Sequence, residues 1–226
     1  MSERLPLFPL GTVLVPGLVL PLHLFEPRYR RLLDDLLALP EPQRRFGVVA
    51  IREGREVGED GARALHEVGT VASLRQVERY EDGRADTVSV GTTRFRLRDL
   101  LDDGSPYLVG DVEEIDDGGD EDPEAAVLAT TVRSLFGDYL GVLADVVAEG
   151  VGVDLDAVPD DATTLSWVVA ATTLLDLPER QALLAAPGTA DRLRAEAHLL
   201  RRERVLVRRL RAVPVGDALR LPHSLN

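Results

Sequence analysis

The sequence predicts an α+β protein in which a small, partly closed β-barrel is followed by a bundle of helices. Up to about residue 115, short runs rich in Val, Leu and Thr alternate with turn signals, including two Asp-Gly pairs. Beyond Pro123, apolar residues recur at three- and four-residue steps, the spacing of amphipathic helices. An acidic stretch separates the two patterns. We therefore predict a β subdomain over residues 1–118, a helical subdomain over 122–213 and a C-terminal tail over 214–226.

The chain begins with its most apolar stretch. Leu5–Leu10 and Leu18–Leu24 are predicted to form a pair of strands, joined through Gly11 and the corner Val15-Pro16-Gly17. Because proline has no backbone N–H, we expect this pair at the rim of the barrel. The four prolines before Phe25 also argue against a signal peptide or a membrane span. We therefore expect a cytoplasmic protein with no targeting segment.

One short helix and further strands complete the predicted barrel, for about six strands in total. Pro27 suits the first turn of a helix over Arg28–Ala38, and Phe46–Ile51 is apolar enough for a strand buried on both faces. Arg52–Leu65, rich in Gly and charge, is predicted to be a surface loop. Asp-Gly turns favour an antiparallel meander for the rest. Its strands are Val68–Tyr80, Thr87–Leu100 and Tyr107–Ile115.

The acidic stretch runs from Asp99 to Glu124 and contains twelve acidic residues and no basic one. Like charges repel one another and keep a segment extended, so we interpret it as a solvated hinge. A binding patch for a cation or a basic partner is the alternative.

Four helices are predicted after the hinge. The first begins after Pro123 and ends at Glu149-Gly150, and the second, Thr164–Leu175, contains the only tryptophan, Trp167. A short third helix begins at Pro178. The fourth covers Thr189–Leu210 and is predicted to turn Leu193, Ala197, Leu200 and Val207 inward.

The composition excludes several kinds of chemistry. There is no Cys, which rules out disulfides and thiolate nucleophiles, and all 26 Lys-plus-Arg residues are Arg, which rules out a Walker lysine and a Ser-Lys dyad. No two of the four histidines stand at helical metal-ligand spacing. We predict no catalytic residue, no metal and no cofactor. The net charge of −13 argues against nucleic acid as the main partner.

One helical face stands out for its charge. Arginines and a histidine of the fourth helix step by three or four residues and share one side. We predict that Arg201, Arg204 and Arg208 form a face for an anion or an acidic partner. The alternative is a solvated face paired with the acids of the chain itself. The complete row is Arg194, His198, Arg201, Arg204, Arg208 and Arg211.

Aromatic and charged residues meet in two motifs of the β subdomain, Phe25-Glu-Pro-Arg-Tyr29 and Gly91-Thr-Thr-Arg-Phe-Arg96. One interpretation is a ligand-facing surface, and the other is that the rings are core and Glu26 satisfies an arginine or the helix N-terminus. The predicted substrate-binding residues are Phe25, Glu26, Arg28, Tyr29, Arg94 and Phe95.

These motifs, taken with others along residues 4–211, resemble the Lon substrate-binding domain, the N-terminal domain of Lon proteases that also occurs alone. The Phe-Glu-Pro-Arg-Tyr form is more similar to the stand-alone branch than to the full proteases. The other matching motifs are Leu5-Pro-Leu-Phe-Pro-Leu10, Val15-Pro-Gly17, Pro21-Leu22, Glu67-Val-Gly-Thr-Val71, Asp82-Gly83 and Leu177-Pro-Glu-Arg-Gln-Ala-Leu-Leu184.

The resemblance implies a PUA-like pseudo-β-barrel followed by a four-helix bundle, and a non-catalytic module that recognises unfolded or exposed protein segments. It does not imply proteolysis, because the ATPase and protease domains of the family have no counterpart in these residues. No membrane partner is expected, and no oligomeric state is predicted. A small-ligand or RNA-binding PUA-like module is the alternative function, and an unrecognised hydrolase is a third.

Overall fold

The structure is a computed structural model that describes residues 2–54, 62–117, 122–146 and 160–210. These residues form two compact units, which we call the β unit, ending at Ile115, and the helical unit, beginning at Asp116. Four features of the sequence interpretation lie outside the described residues. They are Gly118-Gly119, the helix end at Glu149-Gly150, Arg211 and the tail 214–226.

The described part of the β unit contains seven strands, one α-helix and one turn of 3₁₀-helix. The helix α1 spans Pro27–Leu37, and the 3₁₀ turn spans Glu41–Gln43. The strands are β1 (Ser2–Leu10), β2 (Val19–Leu24), β3 (Arg45–Gly54), β4 (Ala62–Leu65), β5 (Val68–Arg79), β6 (Ala85–Leu101) and β7 (Val109–Ile115).

Five of these strands close into a ring in the order β1-β7-β6-β5-β3 and back to β1. All neighbours are antiparallel except β1 and β3, which run parallel. Strand β2 adds to β6, and β4 adds to β3. The meander of β5, β6 and β7 is confirmed, and its turns contain Gly83 and Gly104 with φ of +83° and +80°.

The prediction that β1 and β2 pair with each other is wrong. Ser2–Pro6 pairs with β7 and Leu7–Leu10 pairs with β3, so β1 closes the ring, while β2 lies on β6. The prolines are tolerated because successive amides alternate between the two edges of a strand. The Leu7 amide donates to the Leu108 carbonyl on the β7 side, so the nitrogen of Pro6 faces away from β7. The nitrogen of Pro9 points to the β7 side, but the pairing of β1 with β7 ends at Pro6, so Pro9 removes no hydrogen bond from that ladder.

Arg52–Leu65 is not simply a loop, which corrects a second expectation. Strand β3 continues to Gly54, and Ala62–Leu65 returns antiparallel to it as β4. Residues 55–61 between them lie outside the described part. The sequence concealed this hairpin because Arg52 and Glu53 are exposed, and an exposed strand needs no apolar alternation.

The acidic stretch is also more ordered than the hinge that we predicted. Up to Ile115 it forms the end of β6 and all of β7. Its carboxylates find arginines elsewhere in the β unit: Asp103 pairs with Arg4 at 2.7 Å, and Glu113 pairs with Arg98. The compensating cations lie outside the stretch, Arg98 directly before it and Arg4 far from it in sequence, so a count of charges along the stretch does not include them.

Two apolar clusters stabilise the β unit. One lies inside the ring, because every ring strand contributes to it; its buried members are Leu5, Leu7, Val49, Val71, Phe95 and Val112. The other lies under α1, whose buried residues Tyr29, Leu32, Leu33 and Leu36 follow the spacing of an amphipathic helix. The β2 residues Leu20 and Leu24 belong to this second cluster.

The helical unit contains four helices among its described residues, namely α2 (Pro123–Val146), α3 (Ala162–Thr172), α4 (Leu177–Leu184) and α5 (Thr189–Leu210). Asp161 caps α3 by accepting from the Thr164 amide, and Asp176 forms a capping box with Glu179 at α4. The four α5 residues that were predicted to face inward are buried in one core with Val132, Phe136 and Tyr139 of α2.

Among the described helices, α2 alone has the length and composition of a possible membrane span, with mean hydropathy 1.2 over its most apolar window. Core helices of soluble proteins meet the same criterion. In this chain α2 contributes Val132, Phe136 and Tyr139 to the core of the helical unit, all fully buried.

Candidate functional site

The structure distributes the six predicted substrate-binding residues over two places. Phe25 and Glu26 connect β2 to α1, and Arg28 and Tyr29 follow in the first turn of α1, whereas Arg94 and Phe95 lie in β6. Tyr29 belongs to the cluster under α1 and Phe95 to the cluster inside the ring. Their rings therefore do not form one continuous surface.

Within the first group, Tyr29 is buried and stacks on Phe8 with 4.0 Å between ring centroids. The Arg28 guanidinium lies 4.7 Å from the centre of the Tyr29 ring and pairs with Glu26 at 2.9 Å. Glu26 thus satisfies an arginine, as the core interpretation expects. Phe25 differs from Tyr29 because its ring is only half-buried.

Arg94 and Phe95 are both fully buried. The Phe95 ring occupies space that glycines leave open: a Cβ on Gly69 would lie 2.5 Å from the ring, and one on Gly47 would lie 2.9 Å from it. The Phe95 side chain, enclosed in this way, stabilises the five strands that close on one another and is not accessible to a partner. As contact residues for a substrate, Arg94 and Phe95 remain predictions.

A different surface becomes apparent where β2 lies on β6. The inward residues of this part of β6 are Thr87 and Ser89, which are buried, whereas Val88 and Val90 point outward and are half-exposed. This inverts the usual arrangement, in which aliphatic side chains face the core and hydroxyls face water. Apolar side chains are thus presented outward where their burial would have stabilised the fold.

Strand β2 extends this outward apolar surface. Val19 pairs with Val90 and Pro21 pairs with Val88, and the Val19 side chain is 55% exposed. His23 follows on the same face, opposite Asp86. We call this surface the β2–β6 face; its members are Val19, Pro21, His23, Phe25, Val88 and Val90, bordered by Tyr80 and Asp86.

Aromatic rings form one end of the β2–β6 face. The His23 ring stacks on Phe25 with 6.2 Å between centroids, and Tyr80 lies 6.3 Å from His23. Asp86 accepts a 2.5 Å hydrogen bond from the Tyr80 hydroxyl and lies 2.5 Å from His23 Nδ1. These hydrogen bonds, first that of Tyr80 and then that of His23, lower the pKa of Asp86.

Hydrogen bonds with Tyr80 and His23 therefore stabilise the charged carboxylate of Asp86 at the border of the apolar surface. In the neutral tautomer whose Nδ1 donates to Asp86, the Nε2 atom of His23 is an acceptor, able to take a hydrogen bond from a backbone N–H. Among the described residues, no group of three or more His, Asp or Glu could hold a metal ion. The arrangement is suited to binding apolar chain segments.

The sequence contained a signal for the β2–β6 face that the interpretation of the motifs missed. The alternation Thr87-Val88-Ser89-Val90 predicts a half-buried strand, but it does not determine which of the two sides faces inward. Ordinary hydrophobic patterning places the valines inside. Only the register with β2 and β5, fixed in the folded chain, reveals that they face outward.

The predicted arginine face of α5 is partly neutralised. Arg204 pairs with Asp138 at 2.5 Å, and Arg194 pairs with Glu124 and Asp191. Arg201 donates to the Ala197 carbonyl at 3.2 Å. Neither Arg201 nor Arg208 forms an ion pair with any residue in the described ranges.

Comparison with known proteins agrees with the fold and the motifs. The sequence profile of the ATP-dependent protease La (LON) substrate-binding domain matches residues 4–202. The chain belongs to this Lon substrate-binding domain family. Relatives include Lon protease 2 of Syntrophobacter fumaroxidans, 30% identical over 84% of this chain, and Lon protease of Escherichia coli K12, 30% identical over 85%. This Lon-family chain spans only 23% and 24% of the length of those two proteins.

Solved structures place the chain in the Lon N-terminal domain fold, an α+β fold with a largely antiparallel sheet and five helices. A Lon N-terminal domain protein from Xanthomonas campestris aligns with a TM-score of 0.61 and 28% identity, covering 88% of this chain and 98% of that one. The N-terminal domain of Mycobacterium avium complex Lon protease gives a TM-score of 0.64 at 18% identity, with the same coverage.

Proposed function

We propose that this Lon-family protein recognises exposed segments of unfolded or partly unfolded proteins and catalyses no reaction itself. The observation that carries the proposal is the inverted patterning of the β2–β6 face. Val88 and Val90 face outward beside the exposed Val19, while Thr87 and Ser89 occupy the interior. Exposed aliphatic surface of this kind is typical of a site for apolar segments.

The size of the face sets the expected strength of binding. Burial of apolar surface contributes about 25 cal/mol per Å², so a patch of a few side chains contributes on the order of a few kcal/mol before entropic costs. Weak binding that depends on apolar content suits a module that must accept many sequences. An unfolded chain offers such content, whereas a folded protein buries most of it.

The predicted site residues divide into two roles under this proposal. Phe25 contacts the client, because its half-buried ring extends the face through His23. Glu26, Arg28 and Tyr29 hold the segment that carries Phe25. The buried Arg94 and Phe95 act indirectly, by stabilising the ring of strands to which β6 belongs.

Two finer features of the fold are also part of the proposal. We infer a PUA-like pseudo-barrel from the closed ring of five strands with α1 packed on it, and a four-helix bundle from the four helices that share one unit. The relatives are whole Lon proteases, and we infer a cytoplasmic location for this chain from that kinship.

The test uses Val19→Thr and Val90→Thr, singly and together, because threonine matches valine in shape and strand propensity but adds a hydroxyl. Fluorescence anisotropy would measure binding to reduced, carboxymethylated lactalbumin, which is permanently unfolded. Loss of two buried methyl groups weakens binding by about tenfold in the double variant, at roughly 0.8 kcal/mol per group.

Val127→Thr on α2 is the matched control, because Val127 is 70% exposed and lies in the other unit. It should leave affinity unchanged. Circular dichroism would establish that all variants fold. Failure of the unmodified protein to bind the unfolded probe would reject the proposed function, and equal binding by the double variant would reject the β2–β6 face as its site.

A further inference from the structure

The second half of α5 exposes apolar and basic side chains next to one another. Val205 is 43% exposed and Leu206 is 38% exposed, whereas the apolar residues Leu200 and Val207 of the same helix are buried. Arg201 and Arg208 are exposed on either side of this pair. Leu206 lies about 100° around the helix from Val205. We therefore call Arg201, Val205 and Arg208, without Leu206, the α5 face.

Arg201 and Arg208 differ from the nearby arginines because they form no ion pair with a described residue. Arg194, Arg202 and Arg204 each pair with a carboxylate of the helical unit: Glu124, Glu179 and Asp138 are the respective partners. Arg201 donates a hydrogen bond to the carbonyl of Ala197, one turn earlier, and forms no ion pair with a described residue. Arg208 forms no ion pair with a described residue, so the α5 face carries uncompensated positive charge in a chain of net charge −13.

The geometry of the α5 face is regular. Arg201, Val205 and Arg208 follow steps of four and three residues, so they form one row along the helix. At 1.5 Å of rise per residue, the Cα atoms of Arg201 and Arg208 lie about 10 Å apart along the axis, with Val205 between them. A bound segment would match this row with two carboxylates that flank an apolar side chain.

We propose that the α5 face binds client segments in which acidic residues alternate with apolar ones. This deepens the proposed function and rests on it, because it names a class of client sequence. Val205, between the two arginines, favours a peptide over a polyphosphate, which would gain nothing from an apolar contact. The net charge of −13 disfavours an anionic membrane, and one part-exposed apolar side chain, Val205, provides little surface for insertion.

The probe is a fluorescein-labelled Ala-Gln helical peptide that carries two Glu two turns apart with Leu between them. The comparison peptide has Gln in place of both Glu. Each exposed ion pair changes an equilibrium constant by a few-fold, so the unmodified protein should bind the Glu peptide about fivefold more tightly at low salt. The preference should disappear in high salt, because exposed charges are screened.

The variant Arg201→Gln with Arg208→Gln should bind both peptides equally. Arg52→Gln with Arg75→Gln is the matched control, since both are exposed arginines of the β unit, make no ion pair with a described residue, and cause the same change in net charge. The control should retain the preference for the Glu peptide.

Several outcomes would overturn this inference. If the Arg201 and Arg208 variant keeps the preference, or if the control loses it, the α5 face is not the acidic site, although clients could still bind to the β2–β6 face. If neither peptide binds while unfolded lactalbumin does, the proposed function survives and the α5 face does not. If the protein binds phosphatidylglycerol vesicles and not the peptides, the α5 face is a site for a lipid surface. If it self-associates in sedimentation and does not bind the peptides, the face is a site for a second copy.

Discussion

At the scale of single residues, the helical unit contains two fully buried ionisable side chains one turn apart on α5. Arg192 is well satisfied: its guanidinium lies 3.5 Å from the centre of the Trp167 ring and donates to Ser166 at 2.8 Å and to Asp117 at 3.0 Å. Glu196 has no hydrogen-bond partner for either carboxyl oxygen among the described residues. An unpartnered buried carboxyl favours its neutral form.

Burial raises the pKa of Glu196 well above its usual 4.5, and the attraction of Arg192 opposes this only in part. A raised pKa in the folded state means that the stability of the neutral form is fully present below the unfolded-state value. It is lost as pH rises from there towards the folded-state value. We predict that Glu196→Gln, which stays neutral, gains stability over the unmodified protein as pH increases, by at most about 1.4 kcal/mol per pH unit.

Urea unfolding between about pH 4 and about pH 9, a range that begins near the ordinary pKa of a glutamate, would measure this gain. The exposed Glu78→Gln is the same substitution in the β unit and is the control. A gain that is identical at every pH, or equal at both positions, would contradict the assignment of a neutral Glu196.

At the scale of elements, close packing in the ring of strands depends on missing side chains. A Cβ on Gly69 of β5 would lie 2.5 Å from both the Phe95 ring and the Val48 carbonyl oxygen. The carbonyl belongs to the neighbouring strand β3 and cannot move without disturbing the ladder between β3 and β5. Gly141 of α2 differs, because a Cβ there would meet no atom within 4 Å.

The same substitution should therefore have opposite effects in the two elements. Gly69→Ala should destabilise by about 1–3 kcal/mol through overpacking. Gly141→Ala should stabilise by up to about 1 kcal/mol, because alanine is the better helix former. Chemical denaturation measures both changes, and a stabilising Gly69→Ala would mean that the strands have more room than their geometry indicates.

At the scale of the whole molecule, each unit has a core of its own, and the only tryptophan reports on one of them. Trp167 lies in the helical unit, where its Nε1 atom donates to Asp117 at 3.3 Å. The Asp117 carboxylate also accepts a hydrogen bond from the Arg192 guanidinium. The Asp117 backbone carbonyl accepts hydrogen bonds from the amide and the hydroxyl of Thr189. One residue thus fixes α3 and α5 to the segment that precedes α2.

We predict that Asp117→Ala destabilises the helical unit by about 3 kcal/mol, because it leaves the buried Arg192 without its carboxylate. Unfolding followed by Trp167 fluorescence should shift to lower denaturant. Asp102→Ala, which removes an exposed carboxylate from the β unit, should leave this transition in place. An unshifted fluorescence transition in Asp117→Ala would show that other groups compensate Arg192.

Local pattern was sufficient for much of this protein. The spacing of apolar residues predicted α1 and all four helices of the helical unit, together with the inward residues of α5, because helical periodicity is a property of contiguous sequence. Asp-Gly pairs predicted the turns of the meander. The motifs around Phe25 and Gly91 predicted the family to which the chain belongs.

Tertiary structure decided what depends on residues distant in sequence. It gave β1 the partners β3 and β7 in place of β2, and it supplied Asp138 to Arg204 while leaving Arg201 and Arg208 without a described acid. It also turned Val88 and Val90 outward. The alternation of a strand is symmetric between its two sides, so the sequence determined that β6 is a strand, and only the pairing of strands determined which side faces outward.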